Sequence, residues 1–266
     1  MKVGVSTASL FLRCENEDAV ALLDGLGVKT AEVFLTSFGE YKPSFARLLA
    51  ERKGDLDIHS VHILNTQVEP QLFNRHPRVR KDSYAILGEV MESAQILGAK
   101  YYTFHGGARF KKASREPQND DFARLGECIA EIQAFCQGYG VSLCLENVEW
   151  STYNRPEVFS KLRAYAPELK GVLDVKQARI AGQGYLPYLQ EMGENIATVH
   201  VSDITESGKM CLPGQGIFDF ETLVRRLKDV GFEGQLLIEA YKDDYKTVQE
   251  LQNSCDFLQE IVYKLQ

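Results

Sequence analysis

The regular alternation of short apolar runs with helix-length amphipathic segments constrains the fold of this chain more than any other feature. Each apolar run is rich in β-branched and aromatic residues, as β-strands are, and a segment with helical periodicity follows it. The predicted strands are Lys2–Ser6, Thr30–Leu35, Asp57–Leu64, Tyr101–His105, Ser142–Val148, Leu169–Val175, Thr198–Asp203 and Gln235–Tyr241. The predicted helices are Glu17–Leu26, Ser44–Lys53, Val79–Leu97, Asp120–Tyr139, Pro156–Tyr165, Leu186–Met192, Phe220–Val230 and Tyr245–Leu265.

Eight strand-and-helix units in a chain of 266 residues predict an α/β fold, a single (β/α)8 barrel. No linker or change of composition marks a boundary, so residues 1–266 are expected to form one domain. A doubly wound open sheet is the alternative, but its usual GxGxxG motif after the first strand is absent. Long segments, Asn65–Arg78 and His105–Asn119, follow two strands on the side where barrels carry their catalytic residues, which favours an enzyme.

Charge and composition narrow the classes of partner. A formal net charge of −7 argues against duplex nucleic acid, whose phosphates require a basic surface. No run approaches the roughly 18 apolar residues of a membrane span. The six cysteines show no CxxC and no close pairing, which is typical of reduced thiols in an intracellular protein. We therefore expect a cytoplasmic protein that binds neither nucleic acid nor membrane.

Four successive predicted strands each place one metal-ligand side chain near their C-terminal end: Glu146, Asp174, His200 and Glu239. In a barrel, neighbouring parallel strands bring such residues together at one side of the mouth. Three carboxylates within about 4–6 Å of one another repel, so a cation must hold them. Oxygen and imidazole ligands suit one divalent ion, Mn²⁺, Zn²⁺ or Mg²⁺. The alternative interpretation is that each acid is an unrelated loop residue or helix cap.

The order Glu, Asp, His, Glu on the last four strands resembles the xylose isomerase-like TIM barrel superfamily, and the resemblance covers essentially the whole chain. This superfamily includes sugar-phosphate isomerases and epimerases, tagatose and psicose epimerases, hydroxypyruvate isomerase, inosose dehydratase and the AP endonucleases. The motifs that carry the resemblance are SVH at 60–62, FHGG at 104–107, LEN at 145–147, LD at 173–174, VHVSD at 199–203, LPGQGIFDF at 212–220 and IEA at 238–240.

The resemblance implies that Glu146, Asp174, His200 and Glu239 are the metal ligands. In the epimerases of this superfamily the two matching glutamates are also the acid/base pair. One removes a proton from the carbon next to a carbonyl, the metal holds the enediolate oxygens, and the other glutamate returns a proton on the opposite face. Such a division of labour agrees with the chemistry of carboxylates crowded around a metal.

Further substrate-binding candidates lie near the same mouth. The superfamily has substrate-contacting or metal-contacting histidines at the positions of His62 and His105, although either can be a barrel histidine satisfied by a neighbour. Trp150 can stack on a sugar face or pack within its loop, and the same holds for Phe110 and Tyr153.

The sharpest departure from the superfamily pattern follows Asp174. Many relatives have a histidine three positions later, where this chain has Gln177, preceded by Lys176. If the strand continues, alternation of side chains places Lys176 on the face of Asp174. There it can neutralise a carboxylate or bind a substrate oxygen, or it can be a solvated lysine of the rim.

A basic run follows His105. Arg109, Lys111 and Lys112 can contact a phosphate, but a charge run is more often a solvated loop.

The leading function is therefore a metal-dependent isomerase or epimerase of a small sugar or sugar phosphate. A dehydratase or lyase that acts on a keto-sugar or keto-inositol begins with the same proton abstraction and is the nearest alternative. An AP-endonuclease-like hydrolase is less favoured, because no histidine follows His200. A non-catalytic sugar-binding barrel is a further alternative, and the Lys176–Gln177 pair is the only feature that supports it. Relatives are often dimers or tetramers, so a homo-oligomer is expected by analogy alone.

Overall fold

Eight parallel strands close into a barrel in the computed structural model, which describes residues 1–64, 67–108 and 119–265. The barrel strands are β1 (Lys2–Ser6), β2 (Thr30–Leu35), β3 (Asp57–Ile63), β4 (Tyr101–Phe104), β5 (Ser142–Glu146), β6 (Lys170–Asp174), β7 (Ile196–Val201) and β10 (Gln235–Ile238). Neighbours around the barrel follow the order β1-β2-β3-β4-β5-β6-β7-β10, and β10 pairs with β1. A short antiparallel hairpin, β8 (Asp203–Ile204) with β9 (Met210–Cys211), lies between β7 and β10. The predicted (β/α)8 barrel is confirmed.

Ten α-helices lie between and after these strands in the described part of the chain. The helices are α1 (Asn16–Gly25), α2 (Pro43–Arg52), α3 (Val68–Gln71), α4 (Pro77–Leu97), α5 (Asn119–Gln137), α6 (Val158–Arg163), α7 (Val175–Ile180), α8 (Tyr185–Met192), α9 (Phe220–Asp229) and α10 (Val248–Lys264). Several of them begin where the sequence carries a start signal: α4 has proline in its first turn, α9 is capped by Asp219, and α10 begins with a Thr247–Glu250 capping box. Short 3₁₀ turns cover Thr7–Leu10 and Gly193–Asn195.

All eight predicted strands exist, but several end earlier than predicted. β5 ends at Glu146, β6 at Asp174 and β10 at Ile238, so the residues that follow belong to loops or helices. Two short helices, α3 and α7, were not predicted, because four to six residues are too few to show helical periodicity. The early ends matter for function, since the chain leaves the barrel directly after the proposed ligands.

The barrel strands are almost fully buried, and one glycine shows how closely they pack. A β-carbon added to Gly4 of β1 would lie 2.1 Å from the carbonyl oxygen of Thr30, at the start of β2. No real β-carbon approaches a backbone oxygen so closely, and a backbone atom cannot rotate away as a side chain can. Gly4 is therefore required by the close approach of two strands.

The loop after the hairpin is held by one buried acid. The carboxylate of Asp203 accepts hydrogen bonds from the backbone N–H groups of Ile204, Gly214, Gly216 and Phe218, at 2.7–3.0 Å. Gly214 has a φ of +87°, which favours glycine. The glycines of the GQG segment are thus explained by the loop backbone itself.

All six cysteines are free thiols. Across the described ranges, no helix combines the length and the apolar character needed to cross a membrane.

We expect Gly4→Ala to destabilise the protein by about 3 kcal/mol, because the added methyl group must displace the backbone of β2. Gly25→Ala is the matched control: Gly25 ends α1, is exposed and has open space around its α-carbon, so the change should be neutral or stabilising by less than about 1 kcal/mol. Urea unfolding of both variants measures the difference. Equal stabilities would contradict this account of the β1–β2 contact.

Candidate active site

The four proposed ligands lie at the same end of neighbouring barrel strands. Glu146 and Asp174 are the last residues of β5 and β6, His200 is the penultimate residue of β7, and Glu239 directly follows β10. The backbone N–H of Glu239 still donates to the carbonyl of Val201, so the pairing with β7 holds this residue beside His200. Parallel strands end at one rim of a barrel, which is why residues distant in sequence meet here.

The imidazole of His200 is the geometric centre of the site. Its Nδ1 lies 2.9 Å from Oε1 of Glu146 and 3.1 Å from Oε2 of Glu239. Ligand atoms of Glu146, Asp174 and His200 all lie within 4.8 Å of one another. The predicted convergence of three carboxylates and one imidazole is therefore present in the structure.

The second nitrogen of this imidazole faces an acid that the sequence reasoning missed. Nε2 of His200 lies 3.1 Å from Oε1 of Glu32, a fully buried residue of β2. The carboxylate of Glu32 also accepts hydrogen bonds from three hydroxyl groups, those of Ser6, Ser60 and Thr103. A carboxylate in this position fixes the ring of a histidine and leaves its other nitrogen directed into the site.

The charges shift the pKa values of the cluster in opposite directions. Burial acts to raise the pKa of Glu146, but the hydrogen bond and charge of His200, with the charges of His62 and His105, outweigh it and lower the pKa to about 2. Burial raises the pKa of Asp174 to about 7, although the charge of Lys176 opposes this shift. Burial acts to lower the pKa of His200, but the charges of Glu32 and Glu239 raise it well above its ordinary value. The carboxylates around His200 thus favour the charged form of its imidazole.

Lys176 lies close to Asp174, but for a different reason from the predicted one. The strand does not continue past Asp174; this residue caps α7, and its Oδ1 accepts a hydrogen bond of 2.7 Å from the backbone N–H of Gln177. The condition for an alternating strand face, a strand that continues past Asp174, is therefore not met. The first turn of α7 instead directs Lys176 inward, where its Nζ lies 4.0 Å from Oδ2 of Asp174 and 3.5 Å from Oε1 of Glu239.

The two predicted histidines flank the other side of Glu146. Nε2 of His62 and Nε2 of His105 lie 3.8 Å and 3.7 Å from its Oε2. The Nδ1–H of His62 donates to the carbonyl of Thr103 at 2.9 Å, an arrangement that fixes the tautomer and leaves Nε2 toward the site. The two rings are 4.3 Å apart between centroids.

The orientation of His105 depends on Glu69, a second buried acid that the sequence reasoning missed. Oε2 of Glu69 lies 3.1 Å from Nδ1 of His105, and it also accepts the backbone N–H of that residue. Burial acts to lower the pKa of His105, but the charge and hydrogen bond of Glu69 raise it. Glu69 belongs to the short helix α3 inside a segment predicted as a long loop, so only its charge set it apart in the sequence.

A cavity of about 510 Å³ opens above the cluster. Trp150 and Gln177 line it, as do His62 and His105, whereas Asp174, His200 and Lys176 are buried and do not belong to the lining. Tyr153 lies in the core against Phe159 and Tyr188 rather than at the mouth. The cavity is lined by Ala8, Phe11, Leu12, Phe34, His62, Leu64, His105, Glu146, Val148, Trp150, Gln177, Glu239, Tyr241, Lys242 and Asp243. The candidates Arg109, Phe110, Lys111 and Lys112 lie outside the described residues.

The donor set fits a divalent cation. Nδ1 of His200 can carry only one proton, and Oε1 of Glu146 lies closer to it, at 2.9 Å, than Oε2 of Glu239 does, at 3.1 Å. Oε2 of Glu239 is therefore buried without a hydrogen-bond partner. A buried carboxylate oxygen without a donor is costly unless a cation completes its environment. Carboxylate and imidazole donors are those that Mn²⁺, Zn²⁺ and Mg²⁺ accept.

Comparison with known proteins agrees with this architecture. Residues 20–261 match the family model described as "Xylose isomerase-like TIM barrel". The D-psicose 3-epimerase of Clostridium cellulolyticum H10, solved with D-tagatose, superposes on this chain with a TM-score of 0.79 at 16% sequence identity. The superposition covers 98% of this chain and 99% of the epimerase chain.

Curated relatives are similar over a shorter part of the chain. Fructoselysine 3-epimerase of Escherichia coli O157:H7 is 24% identical over 169 residues, which is 60% of each protein. Inosose isomerase of Bacillus velezensis is 22% identical over 184 residues, or 65% of this chain and 64% of the relative. The match thus spans less than two thirds of the length of either relative.

We expect Glu32→Gln to destabilise the metal-free protein by about 3 kcal/mol, because the change leaves the buried His200 without one of its acids and sets an amide N–H₂ among three hydroxyl groups. Glu131→Gln is the matched control, since Glu131 pairs with Arg80 at the surface and should contribute less than about 0.5 kcal/mol. Urea unfolding in the presence of a chelator measures both. Similar losses in the two variants would show that Glu32 has no special role.

Proposed function

The chain belongs to the xylose isomerase-like TIM barrel family, and from that premise we propose that it is a divalent-metal-dependent isomerase or epimerase of a sugar or sugar phosphate. The observation that carries the proposal is the convergence of Glu146 and Glu239 on Nδ1 of His200 at the floor of the cavity. The named relatives act on sugar-like substrates according to their descriptions, which supports the same substrate class here.

Glu146, Asp174, His200 and Glu239 would hold one divalent ion, Mn²⁺, Zn²⁺ or Mg²⁺. Such an ion, when bound, stabilises the negative charge that develops on a substrate oxygen after proton loss. Glu32 has a separate role: it fixes the orientation of the His200 imidazole through Nε2, the nitrogen on the side away from Glu146 and Glu239.

Glu146 and Glu239 are proposed as the acid/base pair for proton transfer next to a carbonyl. Both line the cavity, so both can reach a bound substrate. A carboxylate can accept a proton from carbon when it is ionised and return one when it is protonated, which is the exchange that the proposed reaction requires. Oε2 of Glu239 faces Nδ1 of His200 at 3.1 Å but has no hydrogen-bond partner, which leaves it available to take up or deliver a proton.

Substrate binding is proposed for His62, His105, Trp150 and Gln177. The two histidines direct Nε2 toward Glu146, so a hydroxyl group bound there would lie beside the proposed base. Trp150 packs against His105 at 5.0 Å between ring centroids and offers a flat apolar face to a sugar ring. Lys176, also expected to contact substrate, is buried away from the cavity lining and receives a different role below.

We expect Glu146→Gln and Glu239→Gln each to reduce turnover by at least about a thousandfold, because an amide cannot exchange protons with carbon. Glu260→Gln in α10, whose side chain is exposed, should keep the wild-type rate. The assay incubates ketoses, ketose phosphates and keto-inositols in D₂O and measures deuterium at the carbon beside the carbonyl. Wild-type exchange in either cavity variant would overturn the acid/base assignment.

The product of the same assay distinguishes an epimerase from a dehydratase, because a dehydratase releases water after the same first step.

Removal of metal should abolish turnover while the barrel stays folded, because the apolar core does not depend on the ion. Dialysis against a chelator, followed by circular dichroism and the D₂O assay, tests this expectation. Adding Mn²⁺, Zn²⁺ or Mg²⁺ separately should restore activity with at least one of them and identify the preferred ion. Full activity in chelator-treated protein free of bound metal would contradict the proposed metal dependence.

A further inference from the structure

Lys176 is a buried cation inside the acidic cluster. Its side chain is 2% exposed, and its ammonium group faces three partners: Oε1 of Glu239 at 3.5 Å, Oδ2 of Asp174 at 4.0 Å and the ring of Tyr241 at 4.2 Å from the centroid. Carboxylates and an aromatic face are the partners that stabilise a desolvated ammonium. The contacts with Glu239, Asp174 and Tyr241 therefore stabilise the charged form of this lysine inside the site.

The contacts of Lys176 divide the oxygen atoms of its partners. In Glu239, Oε1 faces Lys176 while Oε2 faces His200 and has no hydrogen-bond partner. In Asp174, Oδ2 faces Lys176 while Oδ1 accepts the N–H of Gln177. One oxygen of Glu239 thus faces the lysine, and the other faces His200.

The charges suggest what this arrangement does. Glu146, Asp174 and Glu239 together carry three negative charges when ionised. One lysine and one divalent ion together carry three positive charges, which balance these three acids; Glu32, a fourth acid, lies on the other side of the His200 ring. A cluster of these three acids without the lysine would retain a negative charge and would attract a divalent ion more strongly.

We propose that Lys176 is a built-in counter-ion that weakens the binding of the divalent metal and occupies one carboxylate oxygen of Glu239. The proposal rests on the metal site proposed above. Lys176 acts through Glu239 and Asp174 and does not line the cavity, so it is a positioning residue and not a catalytic one. A permanent cation beside the ligands stabilises the metal-free barrel. The free energy gained when metal binds is therefore smaller.

The test compares the binding of Mn²⁺ to the chelator-treated, full-length wild type and to Lys176→Met by titration calorimetry. Methionine keeps most of the apolar stem and removes the charge. We expect Mn²⁺ to bind at least tenfold more tightly to Lys176→Met, and the midpoint of thermal unfolding without metal to fall. Mn²⁺ should then raise that midpoint more in the variant than in the wild type.

Two further variants separate charge from packing. Lys176→Gln removes the charge but keeps an N–H donor, and it should also bind Mn²⁺ more tightly; it serves in place of Lys176→Met if that variant does not fold. Lys170→Met is the matched control, because Lys170 begins the strand that ends at Asp174 and lies at the opposite end of the barrel. Its affinity for Mn²⁺ should stay within about twofold of wild type.

The possible outcomes are distinct. Unchanged or weaker Mn²⁺ binding in Lys176→Met and Lys176→Gln, with clear binding in the wild type, overturns the inference and leaves the proposed function intact. A wild type that binds no Mn²⁺, Zn²⁺ or Mg²⁺ overturns the proposed metal dependence itself, and the inference with it. Equal tightening in Lys170→Met would assign the effect to the net charge of the protein and would also reject the role of Lys176.

Discussion

The contact of one buried imidazole with three carboxylates is the interaction on which the rest of this site depends. His200 meets Glu32 through Nε2 and both Glu146 and Glu239 through Nδ1, and it is almost completely removed from solvent. Buried charges are tolerated only when they are paired and hydrogen-bonded. Removing His200 would leave all three carboxylates without their shared counter-charge, so the three acids depend on this one imidazole.

Closure of the barrel makes this unit possible. Glu32 comes from β2, whereas His200 comes from β7, and two strands separate them along the shorter way around the sheet. In an open sheet two such residues would not meet. Inside a closed barrel, side chains directed toward the axis contact one another across the interior. The same closure places the hydroxyl groups of Ser6, Ser60 and Thr103 around Glu32, because β1, β3 and β4 also face that interior.

The sequence predicted the barrel and the residues at the strand ends, because both follow from periodicity and from the common direction of parallel strands. It did not reveal Glu32, since an acid between alanine and valine within a strand can face solvent or the barrel axis with the same pattern. Serine and threonine on neighbouring strands were the available signal, but their contacts depend on the register between strands. Lys176 was noticed, and its direction was not predictable, because only the structure shows that β6 ends and α7 begins at Asp174.

The surroundings of the charged cluster strengthen its electrostatic effects. Phe11, Phe34 and Trp150 form part of the cavity wall above Glu146, and apolar walls of this kind reduce the water that can screen a charge. The cavity therefore combines an apolar upper part with an ionised floor. In such an environment a single fixed charge has a large effect, and Lys176 is a fixed charge in contact with both Glu239 and Asp174.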